Sequence, residues 1–367
     1  MFKDLKSLMD INYLYLFLLL IIFWIGEINL YSAANGNFEP WAYNQLKRFL
    51  FFLPIFLFIL MLQPRFIFNV TEIILITTVI GLIITLFFGY TGMGAKRWIR
   101  IGGFNLQISE FAKIALVLFM AKYFHKLNAE KTIGLLRSIL PLIISLIVFI
   151  LVAIQPDLGT AVIILTLGLI AIFYAGINLI YPILSLIILG ISSPFLWTLL
   201  KPYQQNRVMI FLNPDLDPLG KGYHIIQSKI AIGSGGMRGN GFLGGSQSSL
   251  DFLPEKETDF VFAIFSEQFG FTGSMVILGL FLFLFLIPIF KSFFLTQVFN
   301  KLILFVLSFK IFFEFLINIS MTIGLVPVVG VALPFMSYGG SSLLSNMIIC
   351  ALLINIMSIS EKKRMFS

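Results

Sequence analysis

The segment Leu253-Pro-Glu-Lys-Glu-Thr-Asp-Phe260 closes a polar stretch, Lys201 to Thr258, and runs directly into an apolar one. Asp259 therefore stands where water gives way to lipid. A carboxylate is costly in hydrocarbon and cheap in water. Held on that boundary by a rigid helix start, it could meet a lipid-borne substrate and accept a proton from a hydroxyl as a bond forms. The competing structural account is a helix cap, in which Thr258 or Asp259 accepts first-turn amides.

Other groups could complete such chemistry. Arg207, Lys221, Lys229, Arg238 and Lys256 surround the same polar stretch and could neutralise a pyrophosphate, or simply form a solvated surface. Nine glycines lie between Gly220 and Gly245, which permits close approach of backbone to a ligand or plain flexibility. They lack the spacing of a nucleotide-phosphate loop. In Gly94-Ala-Lys-Arg-Trp-Ile-Arg100, the cations Lys96 and Arg97 adjoin Trp98, which reads as an interfacial anchor or as the wall of a substrate groove. Glu110 and Lys113 lie three apart in Ile108-Ser-Glu-Phe-Ala-Lys113, on one helical face, so a supporting ion pair turned to the interior is expected. Lys310 and Glu314 form a second, structural pair. Asp157, in Gln155-Pro-Asp-Leu-Gly-Thr160, is placed to cap a helix. Leu333-Pro-Phe-Met-Ser-Tyr-Gly-Gly-Ser-Ser342 is polar, non-helical sequence whose Ser337 and Ser341 need protein or water around them at membrane depth.

The elements that must position these groups are membrane helices. Of the 367 residues 59% are apolar and 11% charged, and the mean hydropathy is +1.00, which excludes an ordinary soluble domain. Apolar runs near 11–30, 49–62, 72–89, 106–124, 139–154, 160–177, 179–199, 260–290, 301–324 and 342–359 predict about ten spans. The fold class is thus an all-α integral membrane protein, one polytopic domain over 1–367, with a large extracytoplasmic loop at 201–258 and a helix starting near 259. With the N-terminus inside, twelve lysines and arginines fall in inner loops and tails, against five in short outer loops (Lys47, Arg48, Lys96, Arg97 and Arg100). Both termini are then cytoplasmic and the long loop faces out. The net charge of +8 follows from this asymmetry and does not argue for nucleic acid. Lys3 and Lys6 precede a first apolar run long enough to be an uncleaved span. The single cysteine, Cys350, excludes an intrachain disulfide, and His125 and His224 fall on opposite sides, which excludes a histidine-cluster metal site.

Taken in order, Gly94-Ala-Lys-Arg-Trp98, Ser109-Glu-Phe-Ala-Lys113, Gln155-Pro-Asp-Leu-Gly-Thr160, Leu253-Pro-Glu-Lys-Glu-Thr-Asp-Phe260 and Ser337-Tyr-Gly-Gly-Ser-Ser342 resemble the SEDS family (shape, elongation, division and sporulation) along essentially the whole chain. Pro327-Val-Val-Gly330 and Gly245-Ser-Gln-Ser248 are similar to its rod-shape branch. The resemblance implies a peptidoglycan glycosyltransferase that polymerises lipid II at the outer face of the bacterial cytoplasmic membrane. It also implies a class B penicillin-binding protein and other elongation-complex proteins as partners. By motif position Asp259 matches the catalytic aspartate, while Trp98, Glu110, Lys113 and Asp157 match positions without a fixed role. Two positions depart from the pattern: Glu257, where the family often has histidine, and Glu267-Gln268, where it often has two glutamates.

Such a reaction needs a base and a stabiliser of the leaving pyrophosphate. Asp259 is the candidate base. Arg207, Lys96 or Arg97 could hold the anion, as could a divalent ion, magnesium or manganese, bridging Asp259 to phosphate oxygens. Trp98, Asp157, Ser337 and Ser341 join the substrate-binding set, and no organic cofactor is expected. The rival readings are a lipid II flippase and a non-catalytic scaffold. Against the first, no internal repeat is evident and the motifs cluster on one side.

Overall fold

A computed structural model describes residues 12–359 apart from 93–94, 103, 128–133, 179, 201, 218–219, 246 and 248–251. The basic residues Lys3, Lys6, Lys131, Lys362, Lys363 and Arg364, and the motif residues Gly94, Gly103 and Ser248, lie outside that set.

Among the described residues ten helices of 17 or more residues carry the fold: α1 (Tyr13–Ala33), α2 (Trp41–Met61), α3 (Pro64–Phe88), α4 (Ile108–Lys126), α5 (Leu135–Ile154), α6 (Leu158–Tyr174), α7 (Ile180–Leu199), α10 (Val261–Phe293), α11 (Val298–Thr322) and α12 (Gly340–Met357). They fall on the ten apolar runs of the sequence. Seven are long and apolar enough in themselves to cross a bilayer. Among the others, α4 carries Glu110, Lys113 and Lys122, and α6 has 17 residues.

Helices α4, α11 and α12 form the inside of the bundle, and α5 exposes most of its apolar surface. These inner helices carry the buried charges and amides Glu110, Lys113, Lys310, Glu314, Asn318, Asn346 and Asn355, because lipid offers polar side chains no partner and they can be satisfied only against other protein. Asn355 of α12 illustrates this by donating to the carbonyls of Ile59, Leu60 and Leu62 at the open end of α2.

Two features depart from the sequence expectation. Between α3 and α4 the chain forms a three-stranded antiparallel sheet in the order β1 (Tyr90–Gly92), β2 (Ala95–Ile101), β3 (Phe104–Leu106), so the mostly helical protein carries one small sheet. Helix α2 begins eight residues before the apolar run does. Lys47 and Arg48, expected in a short loop, lie in its first turns instead. Turning polar side chains toward protein lets a helix start ahead of its apolar run.

The stretch 201–258 also contains structure: α8 (Pro202–Leu212), a short 3-10 turn (Pro214–Leu216) and α9 (Lys221–Ser234). The glycines at 235–241 serve helix α10. Helix α10 is broken at Gly270 (φ 64°, ψ −161°), which frees amides on one side and carbonyls on the other. Segment 235–241 fills that break. The amides of Phe271 and Thr272 donate to the carbonyls of Gly236 and Met237 at 2.9 and 3.1 Å, and the carbonyls of Glu267 and Gln268 accept from the amides of Asn240 and Gly241 at 3.0 Å each. A Cβ on Gly235 would stand 2.1 Å from the Ser266 carbonyl, and one on Gly239 2.0 Å from that of Gln268, so the approach requires glycine. The Glu267 and Gln268 side chains belong to the same joint: Glu267 accepts from the Gln247 amide at 2.8 Å and Gln268 donates to Ser32 Oγ at 2.5 Å.

Candidate functional site

Asp259 sits on a tight turn just before α10. The Glu255 carbonyl accepts from the amides of Thr258, Asp259 and Phe260 at 3.1, 3.1 and 3.4 Å. Phe260 holds the N-cap position of α10 without a side-chain bond, and the Thr258 hydroxyl donates back to the Glu255 carbonyl at 3.3 Å. The N-cap is thus Phe260, one residue past the acid, and the amides of Thr258, Asp259 and Phe260 are taken by the turn itself.

The backbone around Asp259 is anchored through successive carbonyls. Tyr338 N donates to the Glu257 carbonyl at 2.8 Å, Ser337 Oγ to that of Thr258 at 2.5 Å and Asn318 Nδ2 to that of Asp259 at 3.0 Å. Asn318, fully buried on α11, also donates to the Val331 carbonyl at 2.8 Å. That second bond holds the segment 328–332 against the acid. Gly330 (φ 75°) faces it, with its Cβ direction only 3.5 Å from Asp259 Oδ2.

The half-buried Asp259 opens onto a cavity of about 390 Å³. Of the residues singled out in the sequence, Arg97, Trp98, Glu110, Lys113, Arg207 and Ser341 line it as well. They arrive from β2, α4, α8 and α12. The sheet brings Arg97 and Trp98, and Ser341 ties the sheet to α12 by accepting from Gln107 N and donating to the Asn105 carbonyl, both at 3.0 Å.

The Lys221 side chain lies outside the described set. Lys229, Arg238 and Lys256 do not line the cavity, and neither do three residues selected with the motifs, Lys96, Ser337 and Asp157. Lys96 donates to the Phe87 carbonyl at 2.6 Å. Ser337 locks a turn between Leu333 N and the Thr258 carbonyl. Asp157 caps α6 through Thr160 N at 3.3 Å, accepts from Gln107 Nε2 at 2.7 Å and stands 3.9 Å from Arg97, holding that cation from behind. Each supports the site through the backbone or through a neighbour.

The cavity floor is charged. Lys113 Nζ donates to Glu110 Oε1 at 2.7 Å and to Glu314 Oε1 at 2.5 Å. Lys310 Nζ stands 2.8 Å from Glu314 Oε2, an ion contact without a hydrogen bond, and donates to Asn346 Oδ1 at 2.7 Å. Ser345 Oγ donates to Glu110 Oε2 at 2.7 Å. The two pairs read separately from sequence thus form one buried array of zero net charge across α4, α11 and α12.

Sequence reasoning missed Gln107, Thr160, His224, Glu255, Val328–Ala332 and Tyr338, all of which line the cavity. Thr160, Glu255, Val328–Gly330 and Tyr338 lay inside quoted motifs, but nothing in spacing alone marks which motif residue turns inward. Near the acid, burial together with the neighbouring Glu255 carboxylate raises the Glu257 carboxyl above the ordinary range. Among the described residues no group of three or more His, Cys, Asp or Glu side chains is arranged to hold a metal. Asp259 and Glu255 share the cavity, so a hard divalent ion would need substrate oxygens to complete its shell.

Two carboxylates at the rim, Asp259 and Glu255, two guanidinium groups, an indole and a phenol, with an apolar strip at 328–332 and the charged floor of Glu110, Lys113 and Glu314, suit a substrate with a reactive hydroxyl, an anionic group and an apolar portion. Comparisons with known proteins point the same way. The family FTSW_RODA_SPOVE, described as cell cycle protein, matches residues 8–362. Peptidoglycan glycosyltransferase MrdB of Escherichia coli (strain K12) is 39% identical over 281 residues, covering 76% of this chain and 75% of MrdB. Peptidoglycan glycosyltransferase RodA of Treponema pallidum (strain Nichols) is 32% identical over 427 residues, covering 96% and 98%. A solved chain described under "Structural coordination of polymerization and crosslinking by a peptidoglycan synthase complex" superposes with a TM-score of 0.82 at 30% identity, over 95% of this chain and 97% of that one. The rod shape determining protein RodA of Thermus thermophilus gives 0.71 at 23% identity, over 95% and 96%, and so speaks to the fold alone.

Proposed function

This chain belongs to the FTSW_RODA_SPOVE family of cell cycle proteins, and on that premise we propose that it joins lipid II units into glycan strands, with Asp259 as the base. It is a peptidoglycan glycosyltransferase, the activity its relatives are named for. The observation that carries the assignment of roles is the meeting of Asp259, Arg97 and Arg207, far apart in sequence, around one cavity.

In the reaction a sugar hydroxyl of one unit attacks the anomeric carbon of another, and the bond from that carbon to the polyprenyl pyrophosphate breaks. The proton of the attacking hydroxyl passes to Asp259, a contribution of about 10²- to 10⁴-fold. The electron pair leaves on the pyrophosphate, which Arg207 and Arg97 neutralise by charge-assisted hydrogen bonds. The bond from Asp157 to Gln107 and its ion contact with Arg97 aim that cation into the cavity. Trp98, Tyr338 and the 328–332 strip supply apolar walls. A bound magnesium or manganese ion, held by Asp259 and Glu255, would add further neutralisation of the pyrophosphate.

All ten helices are taken as spans of the bacterial cytoplasmic membrane, with both termini inside and the cavity outside. Arg65, Lys126, Arg137, Lys291 and Lys301 gather at the opposite end of the bundle from the cavity, which supports that orientation. The likeness to a chain of a polymerising and crosslinking synthase complex supports a crosslinking partner, a class B penicillin-binding protein.

The test is polymer formation by purified protein from labelled lipid II, resolved on a gel, with and without a chelator. Asp259→Asn should form no polymer while keeping the fold and partner binding. Full activity in that variant would overturn the base assignment, and lipid II translocation without polymer in the parent protein would make it a transporter.

A further inference from the structure

We propose that Gln45 and Arg48, on the first turns of α2, are positioning residues for Asp259, acting through the turn Ser337–Gly340. The inference rests on the reading of Asp259 as the base.

Gln45 is fully buried, and both ends of its amide are used on this turn. Its Nε2 donates to the Ser337 carbonyl at 3.0 Å, and its Oε1 accepts from Gly339 N at 3.3 Å. Three residues on, and so on the same helical face, the Arg48 guanidinium lies over the Tyr338 ring, 4.5 Å from its centre. The Arg48 side chain also packs along Gly340, with Cδ 3.5 Å from that residue's Cβ direction. From Ser337 to Gly340, α2 therefore touches every residue of the turn.

The opposite side of the same turn holds the acid. Ser337 Oγ and Tyr338 N take the carbonyls of Thr258 and Glu257, the two residues before Asp259. The chain of contact runs from α2 to the turn, from the turn to the backbone before Asp259, and from there to the carboxylate. Neither Gln45 nor Arg48 lines the cavity. The cations assigned to the leaving group stand on β2 and α8, outside this chain of contact. Freeing the turn should displace the base and leave anion binding intact. A displacement of about 1 Å at a reacting group costs about a hundredfold in rate.

The experiment measures steady-state kcat and KM for polymerisation of lipid II by full-length Gln45→Ala, Gln45→Leu, Arg48→Ala and Arg48→Lys, with thermal unfolding of each. The clamp requires kcat to fall about ten- to a hundredfold in Gln45→Ala and Arg48→Ala. KM should rise far less than kcat falls, since Tyr338 is one wall of the cavity while both leaving-group cations lie outside the clamp, and Arg48→Lys should recover part of the loss because an ammonium also sits favourably on an aromatic face. Gln45→Leu, which keeps side-chain volume, must lose kcat like Gln45→Ala, so that a folding defect in the smaller variant does not decide the matter. Unchanged kcat, a rise in KM alone, or a loss of rate that merely tracks loss of thermal stability would each overturn the proposal. Asp259→Asn run alongside separates the two readings. Activity there defeats the assignment of the base, whereas an inactive Asp259→Asn beside fully active Gln45→Ala and Arg48→Ala defeats the clamp alone.

Discussion

Removing one charge from the cavity floor should cost more than removing two. Lys113, Lys310 and Glu314 are at most 2% exposed and Glu110 is 8% exposed, and their charges sum to zero. Lys113→Met takes away the ammonium shared by Glu110 and Glu314, leaving two buried carboxylates against one cation. Stripping one partner from a buried ion pair costs about 3–5 kcal/mol, since the group left behind keeps its desolvation penalty. In Lys113→Met with Glu314→Gln the remaining Glu110 and Lys310 again balance. Ser345 still donates to Glu110 and Asn346 still accepts from Lys310. Exchanging a buried pair for uncharged groups of similar volume is often close to neutral, so the double variant should recover about 2 kcal/mol or more of the single loss. Thermal unfolding of the four proteins of this cycle in one detergent, followed by tryptophan fluorescence, gives the comparison. The reasoning is refuted if the double variant is as unstable as the sum of its two single changes, or if Lys113→Met unfolds like the parent.

Other consequences are equally open to measurement. Asn318→Leu leaves the carbonyls of Asp259 and Val331 without their donor, at about 1–3 kcal/mol each, and should depress polymer formation before it unfolds the protein. Gly239→Ala should lower thermal stability far more than Gly241→Ala. Both have positive φ, but a Cβ at 239 meets the Gln268 carbonyl and one at 241 meets nothing within 4 Å, which leaves the second only the left-handed strain of about 1–2 kcal/mol. Glu257→Gln should stabilise the protein at neutral pH and not near pH 4. The folded-state pKa of Glu257 is raised by burial, so below its ordinary value the carboxyl is protonated folded or unfolded. Above that value the unfolded chain ionises freely while the folded one resists. A melting curve of both proteins across that range checks the sign.

Much of the helical frame was legible because each run of some twenty apolar residues has one physical outcome in a bilayer. The start of α2 was not, since Gln45, Lys47 and Arg48 interrupt hydropathy while two of them face protein. The glycine-rich stretch announced an unusual backbone but not its purpose. Its partner is the break at Gly270, which no pattern around 270 declares, because the amides and carbonyls it frees are satisfied by a segment some thirty residues earlier. The small sheet was equally hidden: three short strands amid basic and glycine residues carry almost no periodic signal.

Within the site, Asp259, Arg97, Arg207, Trp98, Glu110 and Lys113 could be picked as candidates from residue type and position, because charges and indoles beside apolar helices are few, but each also had a plain structural account that spacing alone did not remove. Their roles could not be divided on the same basis. Lys96 and Arg97 are neighbours of like charge, yet Lys96 bonds the Phe87 carbonyl near the C-terminal end of α3 while Arg97 lines the cavity beside Asp157. Ser337 and Ser341 share a motif, and only Ser341 lines the cavity.

The sequence by itself determined that this chain lives in a membrane, which family it belongs to and which acid immediately precedes the apolar helix α10, because hydropathy, charge and ordered motifs are local properties. Only the tertiary structure decided which charges share a network, which cations face the acid and what holds its backbone. Those depend on contacts between residues tens to hundreds of positions apart, whose geometry is set by helix packing and leaves no mark on the order of residues along the chain.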